Sequence, residues 1–513
     1  MHWKRYKALP LTEKYDETYY IIGLDIGNDS TGIAFYNLYE SVPEPIDPSG
    51  GYGKPSIPTV MQYIAETKEW VFGEYAILNQ GAGTEITLQF LVKRLGHYDY
   101  LDIDGKAVSV ATILGLYIRE ILASVRNINP KAEIVGIVAA VPAYLSQPAH
   151  EELVRAFKLA GYEKELIALV PDRECVLAHH FQNTSKKDEK VLLLDYGNRE
   201  VRGGVYVAAK DEDIIAKSLS SLFDESIGMG KIDEDVYALF KSYYHDAGGQ
   251  NPQNAETDQL TAFTYQHKDI LFQKNIRTKP AKLYFNFVYP PFQQTITQSD
   301  SEALIRPYRQ RFNRFIRDTL EQNLATRVTS PHDIDTVICV GGGFEMLWAR
   351  ETVAALFTPT QIRMYKNSKL ITAEGAALVA AKMLDVTRGS SISVEDNHQL
   401  AVDIGLSTEG VFLPLVEQGA FWWQAHQPAL VLVNSPVDGE LRLNISERTA
   451  NDESRQLVTY NLAGLPKRPK GTTRLKFSVK FKSNTDFILN VEDLGFGELF
   501  PKTNYAGEIK VSR

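Results

Sequence analysis

The sequence predicts a layered α/β unit with an internally repeated order of elements, followed by a smaller all-β unit. Three observations predict this. Apolar, β-branched runs end twice in the same turn, at Asp25-Ile26-Gly27 and at Asp195-Tyr196-Gly197, as buried strands do. After each turn the pattern runs strand, strand, helix, strand, an internal repeat of elements. Beyond Asp385 helical periodicity stops, and only strand alternation and turn signals remain. Mixed sheets with crossover helices give a layered α/β architecture. Two such halves leave a cleft between them, with an Asp-Gly turn from each facing it.

The elements follow in order. Tyr19–Ile26 (YYIIGLDI) reads as the first buried strand and Gly32–Tyr36 as the second. Val60–Ile64 and Trp70–Phe72 are strands joined by a hairpin turn at Thr67-Lys68-Glu69. Ile113, Leu116, Tyr117, Glu120 and Ile121 have helical spacing, and Ile134–Val141 returns to strand. Ser146 is placed as an N-cap, with Pro148 in the first turn, Leu153, Phe157 and Ala160 on one face, and Gly161 at the stop. The order then restarts with strands at Val191–Leu194, Gly204–Ala208 and Ile214–Leu219. A polar stretch around His245–Asp258 reads as an exposed loop. Val337–Val340 is a buried strand running into Gly341-Gly342-Gly343, and Ala373–Met383 is a helix of small residues. Thr387–Asn397 is polar and reads as a linker. From Leu400 the alternation is clearest in Leu441–Ile445, Leu475–Phe481 and Phe487–Val491, with Asp438-Gly439 as a hairpin turn.

Bulk properties narrow the function. With 513 residues the chain has room for about three domain-sized units. Its 44% hydrophobic and 23% charged residues are ordinary for a globular protein. A formal charge of -9 and the lack of a basic stripe speak against nucleic acid as partner. The short basic stretch Lys467–Lys470 lies among turn residues and reads as a solvated loop. Cys175 and Cys339 each lie inside an apolar run, which fits a reducing compartment rather than a disulfide framework. The basic start lacks an apolar segment after it, so no secretory signal is read. The longest nearly apolar run, Ile134–Leu145, is too short to span a bilayer. A cytoplasmic protein without membrane contact is expected.

A glycine after a buried strand lets backbone amides approach a phosphate, and the turn forms a concavity for an anion. A neighbouring carboxylate can hold Mg²⁺ through water. A lone Asp-x-Gly is only a turn. Two in matching positions, with a triglycine turn after a third buried strand, read as a clamp on a polyphosphate.

These residues resemble the seventy-kilodalton heat-shock chaperone family (DnaK-like), and the matches run in order. Gly23-Leu24-Asp25-Ile26-Gly27-Asn28 resembles the first phosphate loop, Lys93-Arg94-Leu95-Gly96 the family's KRLIG segment, and Val141-Pro142-Ala143-Tyr144 its VPAY strand end. Leu194-Asp195-Tyr196-Gly197 resembles the second phosphate loop, and Ile227-Gly228 with Asp233 the segment after it. Val340-Gly341-Gly342-Gly343 resembles the adenosine loop, and Glu374-Gly375-Ala376-Ala377 the closing helix. Leu462–Gly471 and Ile488-Leu489-Asn490-Val491 resemble the peptide-binding β-sandwich.

The resemblance implies a duplicated actin-like (ribonuclease H-like) ATPase domain at residues 20–386, with lobes 20–190 and 191–386. It places a linker at 387–399 and a peptide-binding-like β-sandwich at 400–513, after an N-terminal extension at 1–19. It implies ATP or ADP and Mg²⁺ in the cleft, and unfolded or extended polypeptide and co-chaperones as partners. Lys93, Asp172 and Asp195 stand in the catalytic places. Gly27, Asn28, Asp29, Gly197, Asn198, Arg199, Gly228, Gly341, Gly342 and Gly343 stand around the nucleotide, and Asp25 and Asp195 hold the metal through water.

The departures fall on the same turns. Asn198-Arg199-Glu200 replaces a Gly-Gly-Thr, removing a hydroxyl and adding charge; Arg199 is positioned either to meet the γ-phosphate or to fill the site itself. Glu345 stands in place of an adenine-stacking arginine, Lys369 in place of an acidic residue, and Lys274 and Arg277 replace the Glu and Lys of the adenine clamp. The linker Asp396–Val402 (DNHQLAV) is more polar than the family's leucine run, and a chain lacking the family's helical lid is expected. Phe421-Trp422-Trp423 falls near the binding-side loops, as core or as an exposed aromatic contact. Three readings stay open: an ATP-dependent lidless chaperone, a nonhydrolysing co-chaperone, nucleotide sensor or scaffold, and a phosphotransferase on the same duplicated fold. Weak or absent ATP hydrolysis is expected.

Overall fold

The computed structural model describes residues 18–48, 56–78, 85–142, 145, 147–182, 184, 189–210, 214–247, 254–272, 274–288, 290–321, 330–365, 368, 370–387, 392–395, 400, 402–408, 411–417, 429–433, 440–448, 454–469, 471–481 and 486–512. The chain divides into two compact units, Met1–Val394 and Glu395–Arg513.

The first unit is a mixed α/β structure built on two sheets. In one, strands β1 (Tyr19–Ile26), β2 (Ser30–Asn37), β3 (Val42–Pro45), β4 (Glu133–Val141) and β5 (Leu166–Pro171) run in the order β5-β4-β1-β2-β3. In the other, β6 (Glu189–Tyr196), β7 (Val201–Lys210), β8 (Ile214–Asp224), β9 (Thr336–Val340) and β10 (Ile362–Met364) run β10-β9-β6-β7-β8. The connections match pair by pair. β1 is parallel to β4 and antiparallel to β2; β6 is parallel to β9 and antiparallel to β7.

Both faces of each central strand are covered, which is why these strands read as continuous apolar runs. Alternate residues of β1 go to opposite sides. Tyr20, Ile22 and Leu24 pack among Ile113 and Tyr117 of helix α1 (Val110–Ala123) and Phe157 of α2 (Gln147–Ala160). Ile21 packs on Ala376, Ala377 and Ala380, in the small-residue helix α8 (Ile371–Met383). That helix lies close enough that a Cβ on Gly23 would sit 2.1 Å from the Ala373 carbonyl oxygen. The second sheet divides likewise: Val191 and Leu193 of β6 meet Val176 and Leu177 of α3 (Asp172–Gln182), while Leu192 and Leu194 join Val236 and Phe240 of α4 (Met229–Asp246). Each such side chain, fully buried, contributes on the order of 1.5–3 kcal/mol.

One sequence expectation changes here. The stretch around His245–Asp258 is not one loop: α4 runs to Asp246 and a further helix, α5, spans Asn254–His267. Its Leu260 and Phe263 face the core, with Phe263 6.0 Å from the Phe240 ring. Tertiary packing of two apolar residues overrides a polar composition here. Two further helices complete this half, α6 (Gln298–Glu321) and α7 (Leu347–Ala354).

The second unit contains β11 (Asp403–Thr408), β12 (Val411–Val416), β13 (Ala429–Val433), β14 (Leu441–Arg448), β15 (Ser454–Leu462), β16 (Thr473–Phe481), β17 (Asp486–Asp493) and β18 (Ala506–Ser512). They form two four-stranded antiparallel sheets, ordered β12-β11-β14-β15 and β13-β16-β17-β18. Alternation along β16 buries Leu475, Phe477, Val479 and Phe481. Arg468 meets Asp493 through both guanidinium arms at 2.7 Å. Phe421-Trp422-Trp423, Asp438-Gly439, Ala143, Tyr144, Ser146 and Lys369 lie outside the described residues.

Candidate functional site

The two Asp-Gly turns are built alike. Gly27 N–H donates to the Ser30 carbonyl at 3.0 Å, and Gly197 N–H donates to the Glu200 carbonyl at 3.0 Å. They line one cleft of about 480 Å³ with the turn Gly341-Gly342-Gly343, a volume ordinary for a small-molecule site. Asn198 Nδ2 donates to Asp29 Oδ1 at 3.2 Å, so the turns touch. Gly341 has φ +90°, and a Cβ on it would lie 2.5 Å from the Tyr196 carbonyl oxygen and 2.6 Å from Asp195 Oδ1. The triglycine turn is thus shaped to the strand end of β6.

The predicted site residues divide into two groups. Asp25, Gly27, Asn28, Asp29, Asp172, Asp195, Gly197, Asn198, Arg199 and the triglycine line the cleft. Lys93 is exposed and is not among the cleft-lining residues; its backbone N–H donates to Asn28 Oδ1 at 2.8 Å. Gly228 stands behind the second turn, where a Cβ would lie 2.3 Å from the Arg199 carbonyl oxygen. The first amides of α4 are engaged by that turn, Met229 N–H donating to the Gly197 carbonyl at 3.1 Å and Gly230 N–H to that of Asn198 at 2.7 Å. Arg199 turns to Glu225, at 2.5 Å. Arg277 pairs fork to fork with Glu351 at 2.8 and 2.6 Å, and Glu345 lines the cleft.

Sequence reasoning missed Arg202. Its Nη1 donates to Asp172 Oδ2, its Nη2 donates to Asp195 Oδ2 at 2.5 Å, and its Nε is 3.7 Å from Glu200 Oε1. A signal was available: Arg202 lies directly opposite Asp195 in the β6–β7 register, at the position that Gly32 holds opposite Asp25 in β1–β2. Also missed were Tyr265, at the end of α5, and Lys268, which holds Asp233 at 2.6 Å. Among the described lining residues, Asp25, Asp29, Glu74, Asp172, Asp195, Glu200, Asp233, Asp269 and Glu345 share the cleft with only three basic side chains, Arg199, Arg202 and Lys268.

Burial, reinforced by this acidic crowding, sets the titration. Burial, then Asp172 and Asp195, push Asp25 up to about 8, against the pull of Arg202. Burial also raises Asp195, to about 6, with Arg202 opposing and Asp172 adding.

The carboxylates do not fit a hydrated Mg²⁺ as they stand. Asp172 Oδ1 accepts from Arg173 N–H at 2.7 Å and its Oδ2 from Arg202, while Asp195 gives Oδ2 to Arg202 and Oδ1 lies against Gly341. Among the described residues no group of three or more His, Cys, Asp or Glu is arranged to hold a metal ion. Both described cysteines are buried, with their thiols pushed up by burial. No described helix is long and apolar enough to cross a membrane.

Comparison with known proteins bears on this cleft. The chaperone protein DnaK of Thermosipho africanus is 21% identical over 490 residues, covering 93% of this chain and 79% of that protein. DnaK of Thermotoga maritima is 22% identical over 494 residues, with the same shares. DnaK of Cenarchaeum symbiosum is 22% identical over 503 residues, covering 93% of this chain and 71% of its own. The chain is a divergent relative of DnaK. Residues 397–512 match a domain of unknown function, DUF8552, and residues 42–206 match the C-terminal part of a family of unknown function, DUF5716. The DnaK likeness extends over both units, whereas each of these two matches lies in one.

Proposed function

We propose that this DnaK-like chain binds ATP or ADP in the cleft of its first unit and extended polypeptide on its second, with weak or absent hydrolysis. The observation that carries the nucleotide half is the matched pair of Asp-Gly turns, closed by the same hydrogen bond and facing the triglycine turn across one cleft. The repeated strand order supports a duplicated, actin-like architecture, and the DnaK relatives support the chaperone-like role, with co-chaperones as further partners. Asp172 and Asp195, expected to serve a water and a metal, are both engaged by Arg202. Lys93 is outside the lining. Both features favour a second reading over turnover: a nonhydrolysing co-chaperone, nucleotide sensor or scaffold.

Calorimetric titration of ATP and ADP into the purified chain, followed by a phosphate-release assay, tests this. Micromolar binding with little or no release is the expected result. Release that disappears in Asp195→Ala would mark a working ATPase instead. No heat with either nucleotide would remove the reading.

A further inference from the structure

We propose that Arg202 is the resident cation of the cleft, standing where a divalent metal ion would otherwise sit, so that nucleotide enters without one. The nucleotide half of this inference rests on the proposed function; the metal half does not.

The guanidinium is held from three segments. Asp172 comes from the first turn of α3, Asp195 from the end of β6, and Glu200 from the turn between β6 and β7. A hydrated divalent ion needs carboxylate oxygens open to its water shell. Here Oδ2 of both aspartates accepts a charge-assisted bond from Arg202, and Asp172 Oδ1 accepts from Arg173 N–H. An arginine cannot be titrated away, so the occupation is permanent across the accessible pH range.

The backbone explains why the side chain arrives there. Arg202 is the cross-strand partner of Asp195, so its side chain leaves β7 beside that carboxylate. In the first sheet the same register position is Gly32, opposite Asp25. One half of the repeat therefore brings a bare carboxylate and the other brings a carboxylate with its counter-charge. A triphosphate meets Asp25, Asp172, Asp195 and Glu200 around the Arg202 guanidinium, while the other lining cations, Arg199 and Lys268, are turned to Glu225 and Asp233. That charge occupies the place where two carboxylates converge, the place a metal would otherwise bridge.

The test uses the full chain and Mn²⁺ as a paramagnetic stand-in for Mg²⁺. Electron paramagnetic resonance should detect no bound Mn²⁺ below millimolar concentration in the wild type. Arg202→Ser should gain a site, at least tenfold tighter, that Arg202→Ser with Asp195→Asn loses again. Mn²⁺ held by the wild type and lost in Asp195→Asn would overturn the inference without reference to any variant of Arg202. Arg202→Lys, which keeps the charge, should stay without a metal site. For the nucleotide half, ADP affinity should agree within about twofold between Mg²⁺ and EDTA buffers, and a tenfold loss in EDTA would overturn it. Absence of ADP binding in both buffers would remove the nucleotide half together with the proposed function, while the Mn²⁺ result still decides the metal half.

Discussion

Arg468 and Asp493 meet fork to fork in the second unit, both arms at 2.7 Å, with 4% and 0% of their side chains exposed. Asp493 also accepts from Gly495 N–H and from the amide and hydroxyl of Thr503, so every lone pair has a partner. The pair ties the turn before β16 to the end of β17. Removing one member leaves the other charge buried and uncompensated, at a cost of about 3–5 kcal/mol. Arg468→Ala should therefore speed hydrogen exchange across residues 473–493. Arg468→Lys should rescue little, because an ammonium cannot replace a bidentate fork.

The same pair makes the second unit acid-sensitive. Although burial opposes it, the hydrogen bonds from Arg468 and Thr503 hold the Asp493 carboxyl well below the usual carboxylate range. Its folded pKa lies under its unfolded one, so the stabilisation is present above about pH 4 and drains away as pH falls toward the folded value. The protection factors of β16 and β17, measured against the intrinsic rate at each pH, should fall between pH 5 and pH 2.5. Asp493→Asn, already weakened at neutral pH, should show a flatter dependence.

Asp25 acts in the opposite sense. With its carboxyl at about 8 in the fold, folding takes up a proton between roughly pH 4 and pH 8. The first unit should lose stability as pH rises through that window. Thermal unfolding of the wild type against Asp25→Asn should show the variant less pH-dependent and more stable at pH 8, by more than about 1 kcal/mol. A variant with the same slope as the wild type would remove Asp25 as the source.

Gly341→Ala should destabilise the first unit by about 2–4 kcal/mol, since it adds a strained backbone to a collision with β6. The φ of +90° and the 2.5 Å approach to Tyr196 act together. A fall in the thermal midpoint of the first unit checks it, with Gly105→Ala, at φ +74° in open space in the same unit, as a control that carries the backbone strain alone.

Lys93→Ala should leave folding within about 0.5 kcal/mol of the wild type and change ADP affinity less than twofold. The side chain is exposed, and the bond that ties this residue to the first turn is made by its backbone. A large loss of affinity in titration would return Lys93 to the site.

The turns and strand ends were legible because they are local. Asp25, Asp195 and the triglycine each follow an apolar run, and a strand running into glycine announces itself over a few residues. Helix α5 was not legible, because its helical state rests on Leu260 and Phe263 finding the α4 face, a contact absent from local composition. Arg202 was overlooked for a related reason. The family-like segment departs at Asn198-Arg199-Glu200, and a partner of Asp195 on the returning strand becomes visible only once the β6–β7 register is counted. Likewise Lys93 sits in a segment resembling a functional one, yet the number of residues between it and the first turn says nothing about where an exposed side chain points.

The two turns share their opening Gly-Asn and their closing hydrogen bond, and diverge from the next residue on, Asp29-Ser30-Thr31-Gly32 against Arg199-Glu200-Val201-Arg202. The chain thus carries its own spare part. Transplanting Ser30-Thr31-Gly32 onto positions 200–202 would keep the hairpin's length, delete the guanidinium and the Glu200 carboxylate, and add two hydroxyls. The first hairpin therefore serves as an internal template for testing what the guanidinium does in the second.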